Sequence, residues 1–335
     1  LSGRPEGLTD AEAHGVAVAA SLLATHEPAG ALAVLRRFRE HPSLDVRRQL
    51  VGTWERFDAR EYAVEVLDHL VRTDLTLTCA TDAQRAAAAG LRPWHRWEFR
   101  GRHGLADVTA AVTGPDGVET LRLLYNPEAG DLGPLTAFPS LRRLVVIDCE
   151  SAHGFGRLAE LPLQQLVVGR VADVDGLRRL DSLRLLSLTH ALTGTRLTDV
   201  LPAAAPLEFL FLGRGTTEGT GLRGLSHWAG LKVLSLSPTA PLTADDWAEI
   251  ARLPLLTRLQ LNARLLPEGL GPMPVLPGIT ELRLAELRGG EDLSALPSRL
   301  PGVRVVDVRG VPGPRPDTAA FTALFPGAEV TVGDR

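Results

Sequence analysis

The stretch LRRLVVIDC, residues 141–149, puts Leu141, Leu144, Val146 and Cys149 into the frame L-x-x-L-x-L-x-x-N/C. Residues two apart share one face of a strand, so Leu144 and Val146 point the same way. The frame recurs along the chain, in WHRWEFRGR (94–102), VETLRLLYN (118–126), LQQLVVGRV (163–171), LRLLSLTHA (183–191) and LEFLFLGRG (207–215). It continues in LKVLSLSPT (231–239), LTRLQLNAR (256–264), ITELRLAEL (279–287) and VRVVDVRGV (303–311). Its central apolar residue falls at 97, 121, 144, 166, 186, 210, 234, 259, 282 and 306, at intervals of 20 to 25 residues. DLTLTCA (74–80) reads as an opening strand and AEVTV (328–332) as a closing one.

That period and pattern are those of leucine-rich repeats. One unit cannot bury its own apolar face, so neighbours must stack to close a continuous core. The fold class expected is α/β: a curved leucine-rich-repeat solenoid with a parallel concave sheet, over residues 72–335. Between the strands, LGPLTAFPSL (132–141) and VDGLRRLDSL (174–183) carry apolar residues at every third position. This spacing predicts short 3₁₀ or helical turns on the convex side. The asparagine place is poorly kept. Asn126 and Cys149 fit it, while Val171, Ala191, Gly215, Thr239, Arg264, Leu287 and Val311 do not. Cys79 and Cys149 follow strands three repeats apart, about 14 Å at strand spacing and too far for a disulfide.

Residues 1–71 read differently. Thr9 to Glu12 and Asp58 to Glu61 have the form of capping boxes that open helices. Ala63, Val66, Leu67 and Leu70 fall on one helical face, as do Leu50, Val51, Trp54 and Phe57. HPSLDVRRQL (41–50) resembles the helix start of a HEAT-type repeat. About four short helices in two hairpins are predicted, a HEAT-like all-helical cap over the end of the solenoid.

Composition narrows the function classes. The 335 residues are 44% hydrophobic and 23% charged, with net charge −4. Lys232 is the one lysine. This balance gives no footprint for nucleic acid or an acidic membrane surface. No apolar run reaches membrane-spanning length, and two cysteines make no disulfide framework. A reducing, cytoplasmic setting is the expectation. The chain starts at Leu1 and its one methionine is Met273. A partial or processed chain with sequence upstream is therefore expected.

No catalytic or metal-binding constellation emerges. GRGTTEGTG (213–221) has glycines after a strand, but the spacing is not G-x-G-x-x-G and no P-loop lysine is present. It reads as a connecting loop. His95 and His103 lie near Trp94 and Trp97, which hold core places in the frame. Asp245, Asp246 and Glu249 follow Thr243 at a helix start, where acidic groups complement the helix dipole.

The candidate site comes from the other side of the strands. If Leu210 and Leu212 point inward, Phe209 and Phe211 point out onto the concave face, where both should be substantially exposed. Equivalent places hold Leu124, Val145, Ile147, Val167, Leu185 and Val233, with Arg143 at a strand start. Tyr125, Asp148, Arg170, His190 and Arg214 stand near the strand ends. Farther along, the face turns polar at Arg258, Gln260, Asn262, Glu281 and Arg283. An apolar area rimmed by polar groups marks a surface for a protein ligand. A covering segment of the same protein, or an apolar sheet with no partner, are the alternatives.

HEAT-like helices (HPSLDVRRQLVGTWERFDAREYAVEVLDHL, 41–70) followed directly by a leucine-rich array resemble the C-terminal region of bacterial NACHT-type, NLR-like STAND NTPases. What the resemblance implies is a non-catalytic sensor module in immune or anti-phage signalling. Its concave face would take a protein ligand or the intramolecular NTPase module. ATP and Mg would belong to that upstream module, and no cofactor to this segment. Two other readings stay open: a freestanding leucine-rich-repeat interaction scaffold, and a secreted or surface repeat protein.

Overall fold

The computed structural model describes residues 7–72, 74–190, 192, 196–218, 220–262, 272–287, 293–310 and 318–333. The chain forms two compact units, Leu1–Pro162 and Leu163–Arg335. Helices come first and parallel strands of leucine-rich-repeat type follow, as the repeat frame predicts.

In the first unit α1 (Asp10–Leu23), α2 (Pro28–Leu35), α3 (Leu44–Gly52) and α4 (Ala59–Glu65) precede any strand. Thr9 closes a complete capping box with Glu12. Asp58 accepts from the backbone N–H groups of Arg60 and Glu61, without the return bond from Glu61 that a full box would carry. The two predicted apolar faces are buried: Ala63, Val66, Leu67 and Leu70 on one, Leu50, Val51 and Trp54 on the other. Phe57 sits half-buried and stacks on Tyr62 at 4.8 Å.

Four strands complete this unit: β1 (Leu77–Cys79), β2 (Arg96–Arg100), β3 (Thr120–Leu124) and β4 (Arg143–Cys149). Each pairs in parallel with the next, and Leu77, Trp97, Leu121 and Leu144 stand in one row across them. Trp97, Leu121 and Leu144 are central residues of the repeat frame, Leu77 belongs to the opening strand, and all four are fully buried. Helices α5 (Asp82–Ala88) and α6 (Leu105–Ala111) return the chain after β1 and β2, whereas 3₁₀ turns follow β3 and β4.

The second unit holds β5 (Gln165–Val171), β6 (Leu185–Thr189), β7 (Phe209–Leu212) and β8 (Val233–Leu236). It continues with β9 (Arg258–Asn262), β10 (Glu281–Leu287), β11 (Val305–Gly310) and β12 (Glu329–Gly333). Leu166, Leu186, Leu210, Leu234, Leu259, Leu282, Val306 and Val330 form one continuous row. The predicted turn in 174–183 is the 3₁₀ segment Leu177–Arg179, with Leu177 buried.

Asn126 does what the asparagine place requires. Its Nδ2 donates to the His103 carbonyl at 2.7 Å, and its Oδ1 accepts from the His103 and Glu128 backbone N–H groups. Cys149 takes the next such place and directs its Sγ at the Leu123 carbonyl, 3.4 Å away. Both cysteines are free and buried. Burial pushes the Cys79 thiol up to about 12 and the Cys149 thiol up to about 11. Ala191, Arg264 and Val311, named above as departures from the asparagine place, lie outside the described residues, as do the Leu287 side chain and Gly219.

Candidate functional site

Strand alternation decides which side chains reach the open face of each sheet. In β7 the inward Leu210 and Leu212 are buried, and Phe209 and Phe211 stand on the other face. Both rings are half-buried rather than largely exposed. The reason is spacing: strands lie about 4.8 Å apart, so each outward side chain is shaded by its neighbours in the row. Phe209 lies between Leu185 and Val233, and Phe211 between Ser187 and Ser235.

The same shading corrects three other expectations of an open surface. Val233 is 7% exposed, flanked in its row by Phe209 and the stem of Arg258. In the first unit Val145 is 4% and Leu124 7% exposed. Leu124 stands between Arg100 and Ile147, and Arg122 is one neighbour of Val145. Val167, Leu185 and Ile147 remain half-buried, and so offer part of their surface. Arg143, Arg170 and Arg214 are exposed, His190 is half-buried, and Tyr125 projects with most of its ring in solvent.

In the second unit the rows change character along the sheet. The row Leu185, Phe209, Val233 continues as Arg258 and Glu281, which form an ion pair. The parallel row runs Val167, Ser187, Phe211, Ser235, Gln260, Arg283 and Asp307. Asp307 is gripped by Arg283 and Arg309, each at 2.8 Å. Thus an apolar strip over β5–β8 adjoins a charged strip over β9–β11. At the strand-start edge Glu208 bridges Arg184 and Lys232, whose charges and hydrogen bonds hold its carboxyl below the usual range. Beside it a groove of about 380 Å³ runs between Ala203, Pro206, Trp228 and Leu255.

The first unit has an arrangement that pattern reading assigned only to core packing. Trp97 and Phe99 of β2 point inward, and Glu98 points out. Its side chain is 2% exposed, with one carboxylate oxygen 2.6 Å from Arg100 and the other 2.6 Å from Arg122. The alternation W-E-F-R at 97–100 was the available signal. Such charge-assisted pairs hold two guanidinium groups in place on the face.

Other suspected positions resolve into structure. Asp246 closes the capping box with Thr243 at the start of Ala244–Ala251 and accepts from the Leu222 N–H at 2.7 Å. Glu249 accepts from the Ser226 N–H at 2.9 Å. Gly213 is required by close approach, since a Cβ there would meet the Thr189 hydroxyl at 2.5 Å. His103 is buried, with Nδ1 2.8 Å from Arg85. Burial, then the Arg85 charge, lower its affinity for a proton. Among the described residues no group of three or more His, Cys, Asp or Glu could hold a metal ion, and no helix is long and apolar enough to cross a membrane.

No family model matches this chain, and no curated protein does. Solved structures are similar at the level of the backbone. An internalin (inlF) from Listeria monocytogenes is 13% identical, covering 76% of this chain and 85% of its own, with a TM-score of 0.39. The TLR13–ssRNA13 complex is 14% identical over 72% of this chain and 40% of that one, with a TM-score of 0.41. InlJ, also from Listeria monocytogenes, is 12% identical over 82% and 67%, with a TM-score of 0.35. At this level of similarity they say nothing of what this chain binds.

Proposed function

We propose that this chain is a non-catalytic recognition module, a leucine-rich-repeat scaffold that takes a protein partner on the open face of β5–β8. One observation carries the reading. Phe209 and Phe211 occupy outward places that the repeat does not need to be apolar, and a charged strip borders them on the same sheet. Aromatic side chains at the centre of an interface tend to dominate its energy, with polar groups forming the rim. The narrower reading is a sensor of an NLR-like NTPase, acting in the cytoplasm in anti-phage signalling, with the NTPase module itself as partner. It is supported by the order of HEAT-like helices and repeats, and the scaffold reading does not depend on it. A Walker A motif in the coding sequence upstream would separate the two.

The test is cross-linked capture from source cells, comparing wild type with the Phe209→Ser/Phe211→Ser variant after both are shown to be folded. A partner held by wild type should be lost from the variant, by about 2–4 kcal/mol of binding free energy if both rings are hot spots. Retention of every partner by a folded variant would remove the aromatic strip from the function.

A further inference from the structure

The open face of β2–β4 in the first unit is chemically unlike the aromatic strip. Its outward strand places include Arg96, Arg100, Arg122 and Arg143, interleaved with Leu124, Val145 and Ile147. Glu98 answers Arg100 and Arg122 together, and Asp74 answers Arg96 at 3.1 Å. Arg143 has no ion-pair partner among the described residues. Four guanidinium groups therefore meet three carboxylates, Glu98, Asp74 and the half-buried Asp148 at the end of β4, and the strand face keeps one excess positive charge. Glu98 is nearly inaccessible, whereas the Arg100 and Arg122 side chains are 53% and 41% exposed. The carboxylate is spent on holding them, and their remaining N–H donors face outward.

Tyr125 stands at the end of this face with φ +55°, a left-handed conformation that glycine adopts more readily than any other residue. The equivalent place one repeat earlier is Gly101, at φ +88°. Both backbones make the same bond to the next strand, Gly101 N–H to the Leu124 carbonyl and Tyr125 N–H to the Ile147 carbonyl. Glycine would satisfy the turn. Asp148, at the equivalent place on the next strand, holds the same conformation at φ +54°, as do Arg170 and Glu286 in the other unit, so the turn belongs to the repeat; what marks Tyr125 is a large ring standing there with 62% of its surface exposed.

We propose that this face docks an extended acidic peptide segment, its carboxylates on Arg100, Arg122 and Arg143 and an apolar or aromatic residue against Tyr125 and Ile147. The partner's charge follows from complementarity with the guanidinium excess. A short peptide fits better than a long polyanion, because the exposed Tyr125 ring and the half-buried Ile147 stand beside the arginines and the whole chain carries net charge −4. The proposal deepens the recognition reading and rests on it, but uses different strands and residues.

The probe is a fluorescein-labelled peptide of about eight residues, long enough at ~3.3 Å per residue to cross these strands. It alternates Glu or Asp with Leu and Tyr, and is titrated into the full chain by anisotropy. Its Gln/Asn isostere and a single-stranded oligonucleotide of similar charge serve as comparisons. The acidic peptide should bind saturably, weaken with salt, and exceed the isostere by at least about tenfold. Tyr125→Gly should weaken it about tenfold with the melting temperature unchanged or raised, and Arg143→Gln about fivefold. Phe209→Ser/Phe211→Ser should leave this binding intact. Arg122→Gln exposes Glu98 to loss of one partner, so it counts only alongside its melting curve. Equal binding of the isostere, tighter binding of the oligonucleotide, or indifference to both Tyr125→Gly and Arg143→Gln would overturn the proposal. If the peptide fails while the Phe variant still loses its partner, recognition stands and this site falls.

Discussion

The two sides of one strand differ more than any two repeats do. On the inward side of β7, Leu210 and Leu212 belong to rows that stay apolar and buried from β5 to β11. On the outward side the same ladder passes from Leu185 and Phe209 to Arg258 and Glu281 within a few strands. In β2 the contrast is sharper still, with Trp97 and Phe99 inside and Glu98 and Arg100 outside. Stacking constrains only the inward side, since each repeat closes its core on its neighbours. The outward side is left free to vary, and variation there is where recognition can be encoded.

The largest effect expected from breaking this division is at Leu210. Leu210→Ser opens a cavity and buries a hydroxyl, and should cost about 3–5 kcal/mol by denaturant melting. Phe209→Ser/Phe211→Ser should cost less, about 2–3 kcal/mol, because both rings keep part of their surface in solvent. The half-burial raises this above the small loss that a fully exposed pair would give. If the paired serines cost more than Leu210→Ser, the assignment of sides is reversed.

A smaller, pH-dependent effect comes from His103, buried beside Arg85 and behind β2. Its proton affinity is lowered below the ordinary value of 6.5. Above that pH both the native and unfolded states carry neutral imidazole and the group has no effect. Below it the unfolded chain takes up a proton that the native site resists, so stability falls as pH falls. His103→Gln should flatten the dependence of melting temperature on pH between 6.5 and the site's own lower value. An unchanged slope would show that the native site takes up the proton as readily as the unfolded chain does.

The repeat frame made the inward rows legible, because leucine at fixed offsets is what stacking demands. Each central residue from Trp97 to Val306 has the place it was assigned. The outward face was legible in direction and not in exposure. Alternation says that Val145, Leu124 and Val233 point out, but not that neighbouring side chains cover them. Glu98 was missed for the same reason: its meaning lies in Arg122, one repeat away in sequence and one strand away in space. The left-handed backbone at Tyr125 has no sequence signature at all, since glycine is what marks that conformation in sequence.

Core and open face part at β7 according to the side on which each of its residues stands. The most direct measurement is thermal melting of four single aspartate variants, at Phe209, Leu210, Phe211 and Leu212. Alternation is predicted: Leu210→Asp and Leu212→Asp should unfold the surrounding repeats, each burying a charge without a partner. Phe209→Asp and Phe211→Asp should remain folded and melt only a few degrees lower, at about 2–4 °C per kcal/mol for a unit of this size. Four equal losses, or collapse at the phenylalanines with tolerance at the leucines, would contradict it.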